Sequence, residues 1–554
     1  MKRRNFLKIL PSAATVTPFV VNGHTMRPFA NTSMARLIGN CEEVEGRTIV
    51  LIQLKGGNDG LNTIIPIAQY DKYVELRPDI AIPETGADAY IPLDTTLKGD
   101  KQVGLHPHLT GIKELYDKGW VNIVQGVGYQ QPNQSHFKST DLWLSGGDGT
   151  SDNFSIPSGW MGRSMQALFP DVYGGPTATM LDPLGIQIGD STPSLGFHTE
   201  TEHQNVINLS GQDVSGFYSL IQTIGGLPPA TIPEFEQGDE IEYIMSVEQS
   251  VNLYAQRISQ VFAAGTNAVT YPASNINPLA SQLKTVARLI RGGSKTKIFL
   301  CQLGGFDTHQ GQVGTTALDG DHADLMFVFS QAVKAFYDDL AAMGIADQVV
   351  SCTFSEFGRC AKGNGSTGTD HGTLAPMIVM GKGVKGGVSG TNVNLSNLTN
   401  DNQLQGMQHD YRQVFTTLLQ DWLGANDYVL EETLFDNYMK IPLINNNFIT
   451  DPACYYGGAV LSVDPGFHKQ PLEVFPNPAR FSSEVTFQSE QAFPARLSMH
   501  GMGGQVAYAG NVQVQVGDNL FFLDVNSTPA GMYFVRLENR ETGLAHVVKL
   551  SVVK

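Results

Sequence analysis

Cysteine is scarce in this chain. There are five in 554 residues, Cys41, Cys301, Cys352, Cys360 and Cys454. None stands in a Cys-x-x-Cys pair or another zinc-chelating spacing, so a thiolate metal centre is excluded. So few cysteines also exclude a disulfide scaffold. The expectation is buried free thiols, although the separation of Cys352 and Cys360 allows one bridge. Positive charge is in deficit as well, 36 Lys and Arg against 53 Asp and Glu, for a net charge of −17. That excludes general nucleic-acid binding, which needs surplus cations to neutralise phosphates. Long apolar runs are missing beyond the N-terminal region, where none approaches the ~18 residues of a membrane-spanning helix. The mature chain is therefore expected to carry no transmembrane segment.

What is present is a globular composition, 41% hydrophobic and 16% charged. The length is too great for one core, and two or three domains are expected. Thr48–Leu54 is a continuous β-branched run, the pattern of a parallel strand buried on both faces. Val121–Val124, residues 296–303, Asp347–Thr353 and Met377–Met380 read as further strands. Helical periodicity covers residues 109–118, a segment beginning near Ser158, residues 239–262, 279–290 and 321–342, and a last helix opening at His409-Asp410. Residues 176–235 read as an irregular insertion. Strand and helix alternate across residues 45–425, which predicts an α/β fold with a mainly parallel sheet between helices.

The polar chemistry gathers where these strands end, the edge at which open α/β sheets bind ligands. After the first strand, Asn58-Asp59 follows two glycines. Asp59 there can ligate a hard cation or simply make an Asx turn. After the second, Ser135 can cap a helix or present a hydroxyl where an anionic intermediate would be stabilised. His136 beside it can act as base or ligand. After the third comes Asp307-Thr308-His309. Asp and neutral His two residues apart on extended chain face one side and suit Zn²⁺ or Mn²⁺. Glu356 and Arg359 can pair with each other, or Arg359 can hold an anionic substrate group. Asp370-His371-Gly372 closes the series.

The motifs GGNDGLN (Gly56–Asn62), GGFDTH (Gly304–His309), SEFGR (Ser355–Arg359) and GTDHG (Gly368–Gly372), in this order, resemble the secreted bacterial family known as domain of unknown function 1501. The resemblance spans residues 45–425. It implies a relation to the alkaline phosphatase and sulfatase superfamily, and so a three-layer α/β/α core, divalent metal ions (Zn, Mn or Ca) and hydrolysis of phosphate or sulfate esters, small-molecule or glycan. By the same resemblance Asp59, Asp307, His309, Asp370, His371 and a late His409 are metal ligands, and Ser135 is the nucleophile. His136, Glu356 and Arg359 join Ser135 as catalytic candidates. No Cys-x-Pro-x-Arg nucleophile motif of sulfatases is present, which ranks a phosphoesterase ahead. A non-catalytic secreted or surface-attached binding protein that keeps the fold is the alternative.

The two ends of the chain carry export features. Arg3-Arg4 before Phe6-Leu7-Lys8 and a modestly apolar Ile9–Val21 resemble a twin-arginine signal over residues 1–30. Residues 426–470 read as a linker. Residues 471–554 alternate apolar and polar residues between Pro, Gly and Asn turns, which predicts a small all-β sandwich. Phe475-Pro476-Asn477-Pro478, Gly504-Gln505-Val506, Gly531–Val535 and the basic Lys549 and Lys554 resemble the C-terminal sorting domain of type IX secretion. That resemblance implies the type IX machinery as a partner, with passage through the periplasm to the cell surface or medium.

Overall fold

The computed structural model describes residues 42–457, except 152, 171, 173–174, 178–179, 190–193, 200–205 and 210–253. It also describes residues 472–553, except 490, 502–505 and 541–544, and a short hairpin at 19–21 and 24–26. The twin-arginine-like segment lies outside the described residues. The chain divides into two compact units, 1–458 and 459–554. Among the described residues no helix is long and apolar enough to cross a membrane.

The first unit is built on a nine-stranded sheet. In chain order its strands are β1 (Thr48–Lys55), β2 (Val121–Gly128), β3 (Gly185–Ile188), β4 (Val206–Leu209), β5 (Ile298–Gly304) and β6 (Val349–Phe354). A separate hairpin, β7 (Arg359–Gly363) with β8 (Thr369–His371), follows; the sheet then resumes with β9 (Ala375–Met380), β10 (Gly387–Ser389) and β11 (His409–Asp410). The spatial order is β10-β2-β9-β6-β1-β5-β3-β4, with β11 also pairing β2. Only β9 runs antiparallel to its neighbours in this sheet. It returns from β6 through a hairpin, with no helical crossover to reverse it.

The central strand β1 shows why the sheet lies inside. Its residues alternate between two cores, Val50, Ile52 and Leu54 facing one and Ile49 and Leu51 the other. Helices α1 (Thr110–Asp117), α4 (Pro278–Arg291) and α5 (Asp321–Ala342) cover the first face, with Ile112, Leu283, Phe329, Val333 and Phe336 in its core. Helices α2 (His136–Ser145), α3 (Trp160–Leu168) and α6 (Tyr411–Thr417) cover the second, with Trp143, Met161, Met165 and Phe415. Each such side chain, buried, contributes on the order of 2 kcal/mol. Local signals set the helix starts. Asn277 accepts a hydrogen bond from Ala280 N, with Pro278 at the first helical position of α4, and Asp410 and Gln413 form a reciprocal capping box on α6.

Three readings of the sequence are corrected here. The supposedly irregular residues 176–235 contain β3 and β4, which extend the sheet in parallel; four-residue strands are too short to display a period. Residues 426–457 are not a free linker, since Leu430, Phe435, Leu443, Ile444 and Tyr456 belong to the second core. Exposed Glu431, Glu432, Asp436, Asn437 and Asn445–Asn447 between them make the composition resemble a spacer. Cysteine divides too. Cys301, Cys352 and Cys360 are free and buried, so Cys352 and Cys360 form no bridge. Cys352 is sealed in the core, while Cys360 lies on the hairpin against the His371 carbonyl and Gln403. Cys454, by contrast, is disulfide-bonded, to a partner outside the described residues. Of the predicted helix 239–262, residues 254–262 are helical and the remainder lies outside the described residues.

The second unit is a β sandwich. One sheet has the order β12 (Glu473–Phe475), β13 (Ser482–Ser489), β16 (Gly517–Asp524). The other has the order β15 (Val506–Val514), β14 (Phe493–Gly501), β17 (Gly531–Asn539), β18 (Ala545–Val552). Burial alternates strictly along β13, and Val485, Phe487, Leu497, Val535 and Leu550 meet between the sheets.

The turn after β1 admits no side chain. A Cβ on Gly56 would lie 2.4 Å from Asp307 N, and the residue has φ +125°. Gly56→Ala is expected to destabilise the protein by roughly 2 kcal/mol or more, measured as a lower urea midpoint with unchanged slope. An unchanged midpoint would mean that the turns of β1 and β5 do not need this closeness.

Candidate metal centre

The carboxyl ends of β1, β2, β5 and β6 open on one edge of the sheet. The turns that follow them bring Gly56-Gly57, His136, Asp307-His309 and Glu356-Arg359 together. The β7–β8 hairpin adds His371, opposite Arg359 in its register. Gly372, which the hairpin carries next, has no room for a Cβ against the Arg359 backbone, 2.2 Å away.

Arg359 joins these turns. It is 1% exposed and its whole fork is engaged. Nε donates to Gly57 O at 2.8 Å, Nη1 to Thr369 O at 3.0 Å, and Nη2 to Gly56 O, to Phe306 O at 2.8 Å and to Asp307 Oδ1 at 2.7 Å. Arg359 therefore neither pairs with Glu356 nor reaches a substrate; its donors are spent on backbone carbonyls and on the Asp307 carboxylate.

Around Asp307 stand three histidines. His371 Nε2 is 3.1 Å and His309 Nε2 3.2 Å from Asp307 Oδ1, and these two nitrogens are 3.0 Å apart. His136 Nε2 is 3.4 Å from Asp307 Oδ2. His136, Asp307 and His371 each offer one ligand atom within 4.8 Å of the others, a cluster capable of coordinating a metal ion. The other nitrogen of each ring is occupied. His136 Nδ1 bonds Glu356 Oε1 at 2.8 Å, His309 Nδ1 bonds Asp370 Oδ1 at 3.1 Å, and His371 Nδ1 bonds Gln134 O at 2.9 Å. Carboxylates and carbonyls only accept, so these partners place a proton on Nδ1 in every ring, and in the neutral form of each ring the Nε2 lone pair faces Asp307. His136 Nε2 is buried with no hydrogen-bond partner. A buried basic nitrogen aimed at a carboxylate fits a cation between them.

Glu356 is fully buried and its Oε1 also accepts from Gly56 N at 2.8 Å. Its Oε2 has no partner. The hydrogen bond that His136 donates to Glu356 holds the His136 pKa above its ordinary value, against the opposing effect of burial. Burial raises the Asp307 carboxyl, but the hydrogen bond and charge of Arg359 outweigh it and hold it at about 2. Burial pushes His371 down. At neutral pH the cluster thus keeps an ionised Asp307 and a neutral His371, the forms that ligate a cation.

The remaining predicted residues fall into two groups. Asp370 stands behind His309, sharing its carboxylate with Asn364. Asp59 and His409 stand apart. Asp59 is 1% exposed, its Oδ2 ion-paired with Arg77 at 2.6 Å and accepting from Gln312, and its Oδ1 accepting from Leu61 N at 3.2 Å. Of the two open readings of Asp59, the Asx turn is the one present, through the bond from Leu61 N, but the carboxylate is buried in an ion pair with Arg77 and not solvated. Gln312 passes its support on, accepting from Thr308 Oγ1 at 3.1 Å and Thr369 Oγ1 at 2.7 Å, the neighbours of Asp307 and Asp370. His409 Nδ1 bonds Gln125 O at 3.0 Å beside β2. Ser135 occupies the N-cap position of α2 without a side-chain capping bond; its hydroxyl is exposed next to His136. Arg77, Gln312 and the Gln134 carbonyl escaped the sequence reading. They sit in unremarkable stretches whose partners lie far along the chain.

A mostly parallel α/β core with a His/Asp cluster at its strand ends thus defines the class. The chain belongs to the DUF1501 family, described as a protein family of unknown function, which matches residues 46–434. Residues 473–552 match a secretion-system C-terminal sorting domain. No curated protein matches the chain. Solved structures resemble it weakly. A protein in the alkaline phosphatase superfamily from Vibrio parahaemolyticus is 8% identical, covering 100% of this chain and 92% of that one at a TM-score of 0.27. The PsFucS1 sulfatase from Pseudoalteromonas sp. is 12% identical over 89% and 86%, at 0.29. PorZ, a type IX secretion surface component of Porphyromonas gingivalis, is 14% identical over 15% and 11%, at 0.12. Scores this low carry no argument about activity.

The Glu356 bond predicts a pH signature in chelator-treated protein. The folded His136 pKa is above its unfolded value of about 6.5, so this interaction stabilises fully below that pH and is lost as pH rises through the folded value. Glu356→Gln is expected to move the His136 pKa down toward about 6.5 and to remove this pH-dependent loss, read by NMR titration and by denaturation at several pH values. An unmoved His136 would mean that Glu356 does not hold its proton.

Proposed function

We propose that the protein is an exported metal-dependent hydrolase of phosphate or sulfate esters, acting on a small-molecule or glycan ester. The observation that carries this reading is the convergence of His136 Nε2, His371 Nε2 and the Asp307 carboxylate, each oriented by a partner on its far side. His136, Asp307 and His371 would hold the ion, and an imidazole-rich set suits Zn or Mn better than Ca. A divalent ion there supplies Lewis-acid polarisation of an ester oxygen and activates a nucleophile.

The chain's own residues supply the rest. Ser135 is the nucleophile candidate, with its hydroxyl exposed and uncommitted to capping. It opens a ten-residue helix whose first backbone N–H groups are available to an anion. Glu356 orients His136 through Nδ1, and Arg359 holds Asp307 ionised while tying the turns after β1 and β5 to β8. A phosphoester ranks ahead of a sulfate ester, because the sulfatase nucleophile motif is missing. The sorting domain would engage the type IX machinery, and its match supports an exported or surface location.

One observation favours the alternative of a non-catalytic surface binding protein. Arg359, the arginine nearest Asp307, is consumed by the scaffold, which removes it as a clamp on a transferring group. The two readings part in one assay. Zinc- or manganese-loaded protein is expected to hydrolyse aryl phosphate esters, to lose that activity on chelation and recover it on reloading. Ser135→Ala is expected to lower the rate by roughly 10³-fold or more. Turnover of neither phosphate nor sulfate esters by the loaded protein would overturn the catalytic reading in favour of binding.

A further inference from the structure

His309 makes a second triad with two members of the first. Its Nε2 lies 3.0 Å from His371 Nε2 and 3.2 Å from Asp307 Oδ1. With Nδ1 of both rings donating to acceptors, two lone pairs face each other across 3.0 Å. That arrangement is repulsive unless a proton or a metal ion sits between them. A tetrahedral shell with bonds of about 2.0–2.1 Å has edges of about 3.4 Å. The His309–His371, His309–Asp307, His371–Asp307 and His136–Asp307 separations, 3.0, 3.2, 3.1 and 3.4 Å, are close to those edges. The triads share Asp307 and His371, so they compete for one ion and do not define two.

The residues that would build a second site are committed elsewhere. Asp59 is buried against Arg77 and Gln312. Asp370 spends Oδ1 on His309 Nδ1 and Asn364. His409 bonds the Gln125 carbonyl.

We infer that the centre is mononuclear, one divalent ion held by the imidazoles of His136, His309 and His371 and the carboxylate of Asp307, with Asp370 as a positioning residue behind His309. This rests on the metal-dependent reading above and narrows it to single-ion chemistry. It settles His136, first read as base or ligand, on the ion-binding role, and removes Asp59 and His409 from the ligand set.

The test needs no substrate. The metal-free full chain is titrated with Zn²⁺ and with Co²⁺ by calorimetry and elemental analysis, and the zinc form is measured by X-ray absorption. One ion per chain with three imidazoles around it is expected. His309→Gln should weaken binding at least 10-fold and remove one imidazole from the absorption fit; its side chain is 44% exposed, and circular dichroism checks the fold. Asp370→Ala should weaken binding 10- to 100-fold while the three imidazoles and the number of oxygens bound to the ion both remain; loss of a bound oxygen would instead make Asp370 a direct ligand and overturn its positioning role. His409→Gln should change neither count nor affinity. Two ions per chain at saturation, a site indifferent to His309, or a loss of one ion in His409→Gln would overturn the proposal. Esterase failure with one ion and three imidazoles intact would sink the catalytic reading alone.

Discussion

The guanidinium of Arg359 is the constraint on which the site depends. Its three nitrogens meet carbonyls at Gly56, Gly57, Phe306 and Thr369 and the carboxylate of Asp307. The turns after β1 and β5 and the strand β8 are thereby tied to one planar group. A flexible ammonium could not satisfy them together, because the fork is what matches several acceptors at fixed angles. Burial makes the arrangement strict. In a low-dielectric interior each carbonyl left without its donor would cost about 1–3 kcal/mol.

A fully buried ion pair, Asp59 with Arg77, supports the same edge of the sheet. Burial raises the Asp59 carboxyl, but the charge and hydrogen bond of Arg77 outweigh it and keep it below the usual range. Gln312 carries the connection from Asp59 to the hydroxyls of Thr308 and Thr369. The centre is thus pre-organised in layers. Asp307 and the histidines face outward, Glu356, Asp370 and the Gln134 carbonyl fix the rings, and Arg359 with Asp59, Arg77 and Gln312 fixes the chain that bears them. Rings held this way need little rearrangement to accept a cation, which is how outer partners raise metal affinity.

The two units divide the work of the protein. The first holds the His/Asp cluster on the carboxyl edge of its sheet. The second, which matches a secretion sorting domain, has the alternating pattern and apolar interior of a self-sufficient sandwich. A sorting element with its own core can be recognised without disturbing the cluster, since folding free energy in such units comes from burial within each.

Much of this architecture was legible in residue order. Thr48–Leu54 and Asp321–Ala342 declare a buried strand and a long amphipathic helix because period and burial are local properties, and the glycine at 56 declares a tight turn, where no Cβ fits. Asp307, His309, Asp370 and His371 could be named as a group from their recurrence at strand exits. What the order of residues could not decide was which of them would meet. Asp59, His136 and Arg359 carry the same local signals, yet they became a structural ion pair, a ring within the cluster and a scaffold clamp. The bonds that decided those roles join residues 220 apart for His136 and Glu356 and 303 apart for Arg359 and Gly56. Such bonds leave no local trace. They exist only once sheet order has brought distant turns to one edge, and there the competition for a limited number of buried donors and acceptors settles which side chain does what.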